Sequence, residues 1–346
     1  EWRGDVFTSQ QRESCLRLVL ANLEAAMADA KFGADSAAQL QRKYAADMGV
    51  WTEIGLGASP DAIDIARMKF RTHPRYPYLL ATDGFDGGIN TGVGISYPES
   101  WSNECSGGFG CKLAPGWDRT KDVAPGGRGC VLRVENLPAI PGLLVVGVYA
   151  PQRAPSAKHA KQAAVDELWN WICKKVKPYI ARGWQVLIAG DLNSSTSQTD
   201  NANEKGRKPR EYEIASRLQN GDEHKNLQGV FYDIFRVRHP EVPGYTTYKS
   251  FETKRTEETR IDFMWGTAGI TEATQAIGVG PKVTGSIHRI LAIDIRYRWL
   301  PTRAVIPAKR TEVNYNLALR KAQEAQEKSE DGTNAFVEAI AVEISR

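Results

Sequence analysis

Cysteine is scarce and follows no pairing pattern. The five present, Cys15, Cys105, Cys111, Cys130 and Cys173, are odd in number and form no C-x-x-C pair. A disulfide framework and a zinc knuckle are thereby excluded, and reduced thiols in an intracellular setting are expected. No apolar run approaches the ~20 residues that span a bilayer, and no basic segment followed by an apolar one opens the chain, so neither a membrane span nor a secretory signal is expected. A strong excess of one charge is missing too. The net charge of +4 is compatible with a polyanionic partner without implying one. No internal repeat marks a solenoid or propeller.

What is present suits a folded domain. The 346 residues are 42% hydrophobic and 25% charged, with nine tryptophans and twelve tyrosines to fill a core. One large domain over 14–300 with an appendage over 301–346 accounts for the length.

Apolar runs bounded by turn residues predict strands at Leu16 to Leu20, at Gly49 to Trp51, and at Gly92 to Tyr97. Further strands are expected at Gly129 to Val134, Leu143 to Tyr149 and Gln185 to Ala189, then at Gly244 to Tyr248, Ile261 to Trp265 and Ala292 to Tyr297. Leu143 to Tyr149 pairs with Cys130 to Val134 across a turn, as a hairpin. Between strands, Ala37 to Tyr44 and Glu211 to Leu218 read as helices. A longer helix capped by Ser156 carries Val165, Leu168, Trp169, Ile172, Val176 and Ile180 at three- and four-residue steps and stops at Gly183. Strands and helices interleave but include hairpins, so a two-sheet α/β sandwich flanked by helices fits better than a doubly wound parallel sheet. Two loops stand out: an aromatic and basic one from Pro98 to Gly127, and a polar one from Ser194 to Arg210. Beyond Pro301 a basic linker, Pro307 to Arg310, leads to charged helical segments that read as a connector.

Several predicted strands end on acids or amides. Asn22 and Glu53 follow the first two strands, and Tyr149 ends a strand of core character. In Gly190-Asp191-Leu192-Asn193 the acid and amide lie two residues apart, on one face of an extended segment. A strand-terminating Asx turn would look the same. In Arg260-Ile261-Asp262-Phe263 an acid sits inside an apolar strand, where it needs a partner. His288 is the best candidate, although a lone histidine can equally be a hydrogen-bonded core residue. His73, His159, His224 and His239 lie in loops or polar contexts.

Taken in order, Asn22, Glu53, Tyr149-Ala150-Pro151, Gly190-Asp191-Leu192-Asn193, Tyr245-Thr246, Arg260-Ile261-Asp262-Phe263 and Ser286-Ile287-His288 resemble the endonuclease/exonuclease/phosphatase superfamily over roughly 16–299. The resemblance is greatest to the apurinic-endonuclease-like domain of non-LTR retrotransposons. It implies a four-layer sandwich of two packed mixed β-sheets flanked by helices, and a phosphodiesterase using Mg²⁺ or Mn²⁺. It further implies a DNA substrate, a reverse transcriptase module in the same polypeptide, and a nuclear location. On this resemblance Glu53 binds the metal. His288, oriented by Asp262, activates water or contacts the scissile phosphate. Asp191 protonates the leaving oxygen, while Asn22, Tyr149, Asn193, Thr246 and Ser286 hold the phosphate. At position 287 the family has aspartate and this chain has isoleucine, which implies weakened metal binding or activity. A phosphatase of the same superfamily and an impaired nucleic-acid-binding relative are the competing readings.

Overall fold

The computed structural model describes residues 1–12, 14–24, 33–56, 60–72, 77–82, 92–101, 122–135, 142–152, 158–196, 200–202, 213–221, 227, 229–250 and 256–296. Ser156, residues 102–121 of the aromatic and basic loop, most of the polar loop, Tyr297 and the whole linker and connector lie outside these residues.

Alternating apolar side chains build two sheets that share one core. The larger has the order β1 (Arg3–Gly4), β13 (Thr274–Lys282), β14 (Arg289–Arg296), β2 (Cys15–Asn22), β3 (Met48–Thr52), β5 (Val93–Pro98) and β4 (Tyr78–Ala81). The smaller runs β6 (Gly129–Glu135), β7 (Gly142–Tyr149), β8 (Gln185–Asp191), β12 (Asp262–Gly266) and β9 (Tyr232–Asp233). Each contains one parallel pair, β2 with β3 and β7 with β8, among antiparallel neighbours. A separate ribbon, β10 (Thr247–Ser250) with β11 (Thr256–Thr259), completes the strands.

Leu16, Leu18 and Leu20 of β2, Met48 and Val50 of β3, Leu143 and Val145 of β7, and Leu187 and Ala189 of β8 all belong to the buried cluster shared by both sheets. Residues of opposite parity face outward and are covered by helices. Val19 and Ala21 pack with α1 (Gly33–Lys43) and α2 (Pro60–Arg71). Leu144, Val146, Val186 and Ile188 pack with α3 (Lys158–Ile180) and α4 (Ile214–Asn220). Short helices α5 (Ile234–Arg238) and α6 (Ala268–Ala273) add Ile234, Phe235, Ile270 and Ala273 to the shared cluster. The architecture is thus helix, sheet, sheet, helix, the four-layer sandwich expected.

Polar anchors fix the register. Arg17 and Asp294 are directly paired residues of β2 and β14, and the buried guanidinium donates from Nε at 2.7 Å and from Nη2 at 2.9 Å to the carboxylate. Trp51 Nε1 donates to Ser96 Oγ at 2.9 Å, and Ser96 Oγ donates to Gln41 Oε1 at 2.6 Å, which ties α1 to the sheet beneath it.

Some boundaries differ from the sequence reading. The strand expected at Gly244 to Tyr248 begins only at Thr247; the Thr246 side chain instead accepts from the backbone N–H groups of Ile261 and Asp262. Helix α2 and strands β4 and β13 are absent from that reading. Strand β13 contains Gly278, Gly280 and Pro281, which read as turn signals. These glycines instead admit close approach: a Cβ at Gly278 would lie 2.1 Å from the Asp5 carbonyl oxygen, and one at Gly280 2.8 Å from the Trp2 ring. Among the described residues no helix is long and apolar enough to cross a membrane.

Candidate active site

The site arises where the inner-face alternation reaches the sheet edge and turns polar. On β2 the sequence Leu16, Leu18, Leu20 is continued by Asn22. On β8 Leu187 and Ala189 are continued by Asp191, on β7 the same face ends at Tyr149, and on β12 Met264 is preceded by Asp262. Register aligns them, with Tyr149 opposite Asp191 and Asp191 opposite Asp262. Gly190 allows this, since a Cβ there would lie 1.8 Å from the Val148 carbonyl oxygen.

Asp191 is fully buried, yet both its oxygens are occupied. Oδ2 accepts from Asn22 Nδ2 at 2.8 Å, and Oδ1 accepts from the Asn193 backbone N–H at 2.8 Å. Asn193 Nδ2 in turn donates to the Ala150 carbonyl at 2.8 Å. Asp262 Oδ2 lies 2.9 Å from His288 Nδ1, which leaves His288 Nε2, 4.0 Å from Glu24 Oε1, available to the cleft. The Thr246 hydroxyl oxygen accepts from the backbone N–H groups of Ile261 and Asp262, each at 3.1 Å, and Ser286 Oγ accepts from His288 N at 3.0 Å. These two side chains therefore brace Asp262 and His288; the neighbouring Thr247 is the one that lines the cleft. Across the cleft, Tyr149 OH donates to Glu53 Oε1 at 3.0 Å and accepts from Gln152 Nε2 at 2.8 Å.

All nine side chains singled out in the sequence meet at this edge, in three hydrogen-bonded groups. Sequence reasoning missed several cleft residues, Thr247, Glu257 and Thr259 among them, and two stand beside named ones. Gln152 lies three residues past Tyr149, and Glu24 two past Asn22, where its Oε1 accepts from Ile287 N at 3.4 Å. The only signal for either was its nearness to a named residue. The cleft, about 570 Å³, is lined by Glu24, Glu53, Gln152, Asn193, Ile287 and His288 among others. Backbone strain gathers here: of five described non-glycine residues at positive φ, Glu24 (45°), Glu53 (54°) and Asn193 (48°) line the cleft. Such conformations persist where surrounding structure enforces them, and they cluster at functional sites.

Burial, reinforced by the nearby Asp262 charge, raises the Asp191 pKa to about 7, against the opposing pull of His288, Asn193 and Asn22. For His288 burial disfavours the charged ring, but the Asp262 carboxylate more than compensates and raises it to about 9. Burial also pushes the Tyr149 phenol upward, so it stays protonated and donates. A histidine raised from 6.5 to about 9 binds its proton more tightly in the folded state. Its stabilisation is complete below about pH 6.5 and is lost as pH rises through about 9. Thermal melts should therefore show Tm falling over that window, and His288→Gln should flatten the fall; an unchanged slope in the variant would refute the assignment.

The described lining includes the carboxylates Glu24, Glu53 and Glu257 and no lysine or arginine. A phosphate entering such a cleft would meet the negative charge of these glutamates as well as the cationic His288, and a hard divalent cation with oxygen ligands would offset that negative charge. Asp191, Asp262 and His288 also offer ligand atoms within 4.8 Å of one another. Most of those atoms are engaged with each other and with Asn22 and Asn193, but Asp262 Oδ1 is buried with no hydrogen-bond partner, so the cluster and Glu53 across the cleft could both supply oxygen ligands.

No protein-family model matches the chain, and no curated protein matches its sequence. Solved structures do match. An AP endonuclease from Leishmania major superposes with a TM-score of 0.62 at 13% identity, covering 82% of this chain and 88% of that one. The catalytic domain of Xenopus laevis APE2 gives 0.57 at 19% identity, covering 81% and 91%. The 3′ phosphatase NExo from Neisseria, solved with a product DNA hairpin, gives 0.53 at 17% identity, covering 81% and 99%. At these identities the likeness is one of fold. Joined to the two-sheet sandwich and to the order of the edge residues, it establishes that this chain has the fold of the endonuclease/exonuclease/phosphatase superfamily.

Proposed function

We propose that the chain is a divalent-metal-dependent phosphodiesterase that nicks DNA. The observation that carries the reading is the buried Asp262–His288 pair beside Asp191, facing Glu53 across an acidic cleft. Hydrolysis of a phosphodiester needs a positioned nucleophile, neutralised non-bridging oxygens and a proton for the leaving oxygen. Glu53 would hold the cation, Mg²⁺ or Mn²⁺, which when bound supplies charge neutralisation on the phosphate. His288, kept protonated by Asp262 at neutral pH, donates from Nε2 to a phosphate oxygen. This favours the phosphate-binding role over that of general base. Water attacks phosphorus as the bond to the leaving oxygen breaks; Asp191, whose pKa lies near neutrality, gives its proton to that oxygen and regains one from solvent, which takes up the proton the water sheds. Asn22 and Asn193 keep that carboxyl in place, and Tyr149 with Gln152 holds Glu53.

DNA is favoured because the matched structures include AP endonucleases and a phosphatase bound to product DNA. Tyr149-Ala150-Pro151 and the basic stretch at 307–310 support a narrower reading, a retrotransposon nuclease acting in the nucleus beside a reverse transcriptase module. Incubating the protein with supercoiled plasmid and Mg²⁺ or Mn²⁺ should yield nicked circles, and EDTA should abolish them. Release of inorganic phosphate without nicking would replace this reading with a phosphatase.

Position 287 favours a second reading, an impaired relative. The Ile287 side chain lines the cleft where a carboxylate could join Glu24 and Glu53. A further acid at a metal site is worth about 10- to 100-fold in affinity or activity. Ile287→Asp should therefore tighten Mn²⁺ binding and raise nicking by about that factor. In the absence of metal it should lower Tm, because three carboxylates then face one another. An unchanged Mn²⁺ titration would show that position 287 lies outside the metal site.

A further inference from the structure

Arg128 takes no part in the mechanism above, yet it stands on the same edge. It follows the turn Pro125–Gly127, in which Gly126 and Gly127 adopt φ of 65° and 67°, a left-handed pair that side chains resist. The turn delivers Arg128 one residue before β6 begins, where its carbonyl accepts from Tyr149 N at 2.8 Å. Across β6, β7, β8 and β12 the residues Arg128, Tyr149, Asp191 and Asp262 thus stand side by side. Neighbouring strands lie ~4.8 Å apart, so the Arg128 backbone is about 10 Å from that of Asp191.

The side chain is half-buried. The fully buried arginines have carboxylates: Arg17 has Asp294, and Arg260 has Asp200 and Asp233. Arg128 has no ion pair among the described residues, and its Nη1 is buried with no hydrogen-bond partner. Its guanidinium lies over the Tyr149 ring, 5.4 Å from the centroid. Stacking satisfies the face of the group and leaves the in-plane N–H unsatisfied. The nearby Glu53 is held by Tyr149 and Gln152 instead. An unpaired N–H of this kind is destabilising, the more so on a charged group, and an apolar residue stacked on Tyr149 would avoid it. What the guanidinium lacks is an anion with oxygen acceptors. Burial also weighs against its charge and lowers its pKa, which such an anion would reverse.

We propose that Arg128 is a phosphate subsite beside the catalytic centre, binding a backbone phosphate that flanks the scissile one, so that the substrate is a nucleic-acid strand and not a small phosphate ester. This rests on the phosphodiesterase reading. The guanidinium fork suits phosphate, and the distance from Asp191 separates this phosphate from the reacting one.

The test compares the wild-type protein with Arg128→Gln and Arg128→Lys. Binding of a fluorescent oligonucleotide duplex is followed by anisotropy in EDTA between about 50 and 200 mM salt, together with plasmid-nicking kinetics in Mg²⁺. Arg128→Gln should weaken binding about tenfold, lower the slope of log K against log salt by about 1, and raise KM far more than it lowers kcat. Arg128→Lys, which keeps the charge, should retain the slope. Wild-type slope and affinity in Arg128→Gln would overturn the proposal. So would equal weakening in both variants at an unchanged slope, since that marks a stacking role only. Wild-type protein that neither binds nor nicks DNA would instead sink the phosphodiesterase reading itself.

Discussion

Replacing Asp191 with asparagine should lower the rate of phosphodiester cleavage by roughly 10²- to 10⁴-fold, the range for losing a general acid, with KM little changed. Asparagine preserves shape but carries no transferable proton. It also turns an acceptor toward Asn22 into a donor, because Asn22 Nδ2 now donates to Asp191 Oδ2. The pH profile gives the sharper test. Burial and the Asp262 charge hold the Asp191 proton up to about pH 7, so the wild-type rate should fall as pH rises through that value. The residual rate of the variant should lack this limb. Cleavage within roughly threefold of wild type would remove Asp191 from the reaction.

Arg260→Met should destabilise the fold by about 3–5 kcal/mol, as expected when one partner of a buried ion network is removed. Arg260 is 1% exposed. Its Nη2 donates to both oxygens of Asp233, its Nη1 to Asp200 Oδ1 at 3.2 Å, and its backbone N–H to the Asp200 carbonyl at 2.8 Å. Burial opposes the Asp200 charge, but Arg260, Thr196 and Arg236 together hold its pKa below the usual carboxylate range. Methionine would leave both acids buried with their main cation gone. Replacing Asp200 and Asp233 by apolar residues as well should restore much of the loss. Urea denaturation measures both effects, and a single-variant loss under about 1 kcal/mol would show that the network is solvated and not buried. Because Asp200 also binds Thr196, three residues past Asn193, and Arg260 lies two before Asp262, the variant should slow cleavage as well.

The two-sheet core was legible because alternation is a two-residue signal. Leu16, Leu18 and Leu20 announce their shared face without reference to the rest of the chain. The polar edge was legible for the same reason: Asn22, Asp191 and Asp262 continue apolar stripes with the wrong chemistry for a core. Other parts depend on contacts distant in sequence. Strand β13 resembles a turn until the N-terminal segment that needs its glycines is in place. Helix α2 leaves Ile65 and Met68 exposed at 48% and 58%, which blurs its apolar face. Gln152 and Glu24 are an ordinary amide and acid; only folding sets one against Tyr149 and the other against Ile287. Arg128 gave no sequence signal, because a missing counter-ion is visible only once the neighbours are known.

The larger sheet has a consequence for how the protein is made. Strand β14, at 289–296, lies between β13 and β2, with β2 fully buried along its length. A ribosome has therefore released nearly the whole sandwich before the strand that fills the middle of this sheet is translated. Until then β2 waits with an unpaired edge of leucine and valine, the kind of edge that recruits other chains. His288 immediately precedes that strand, so completion of the sheet and arrival of the histidine at Asp262 are nearly one event. Premature termination upstream of 289 should yield sticky, inert fragments and no partly active nuclease, a useful property for an enzyme of the proposed activity, which would otherwise cut DNA while still incomplete.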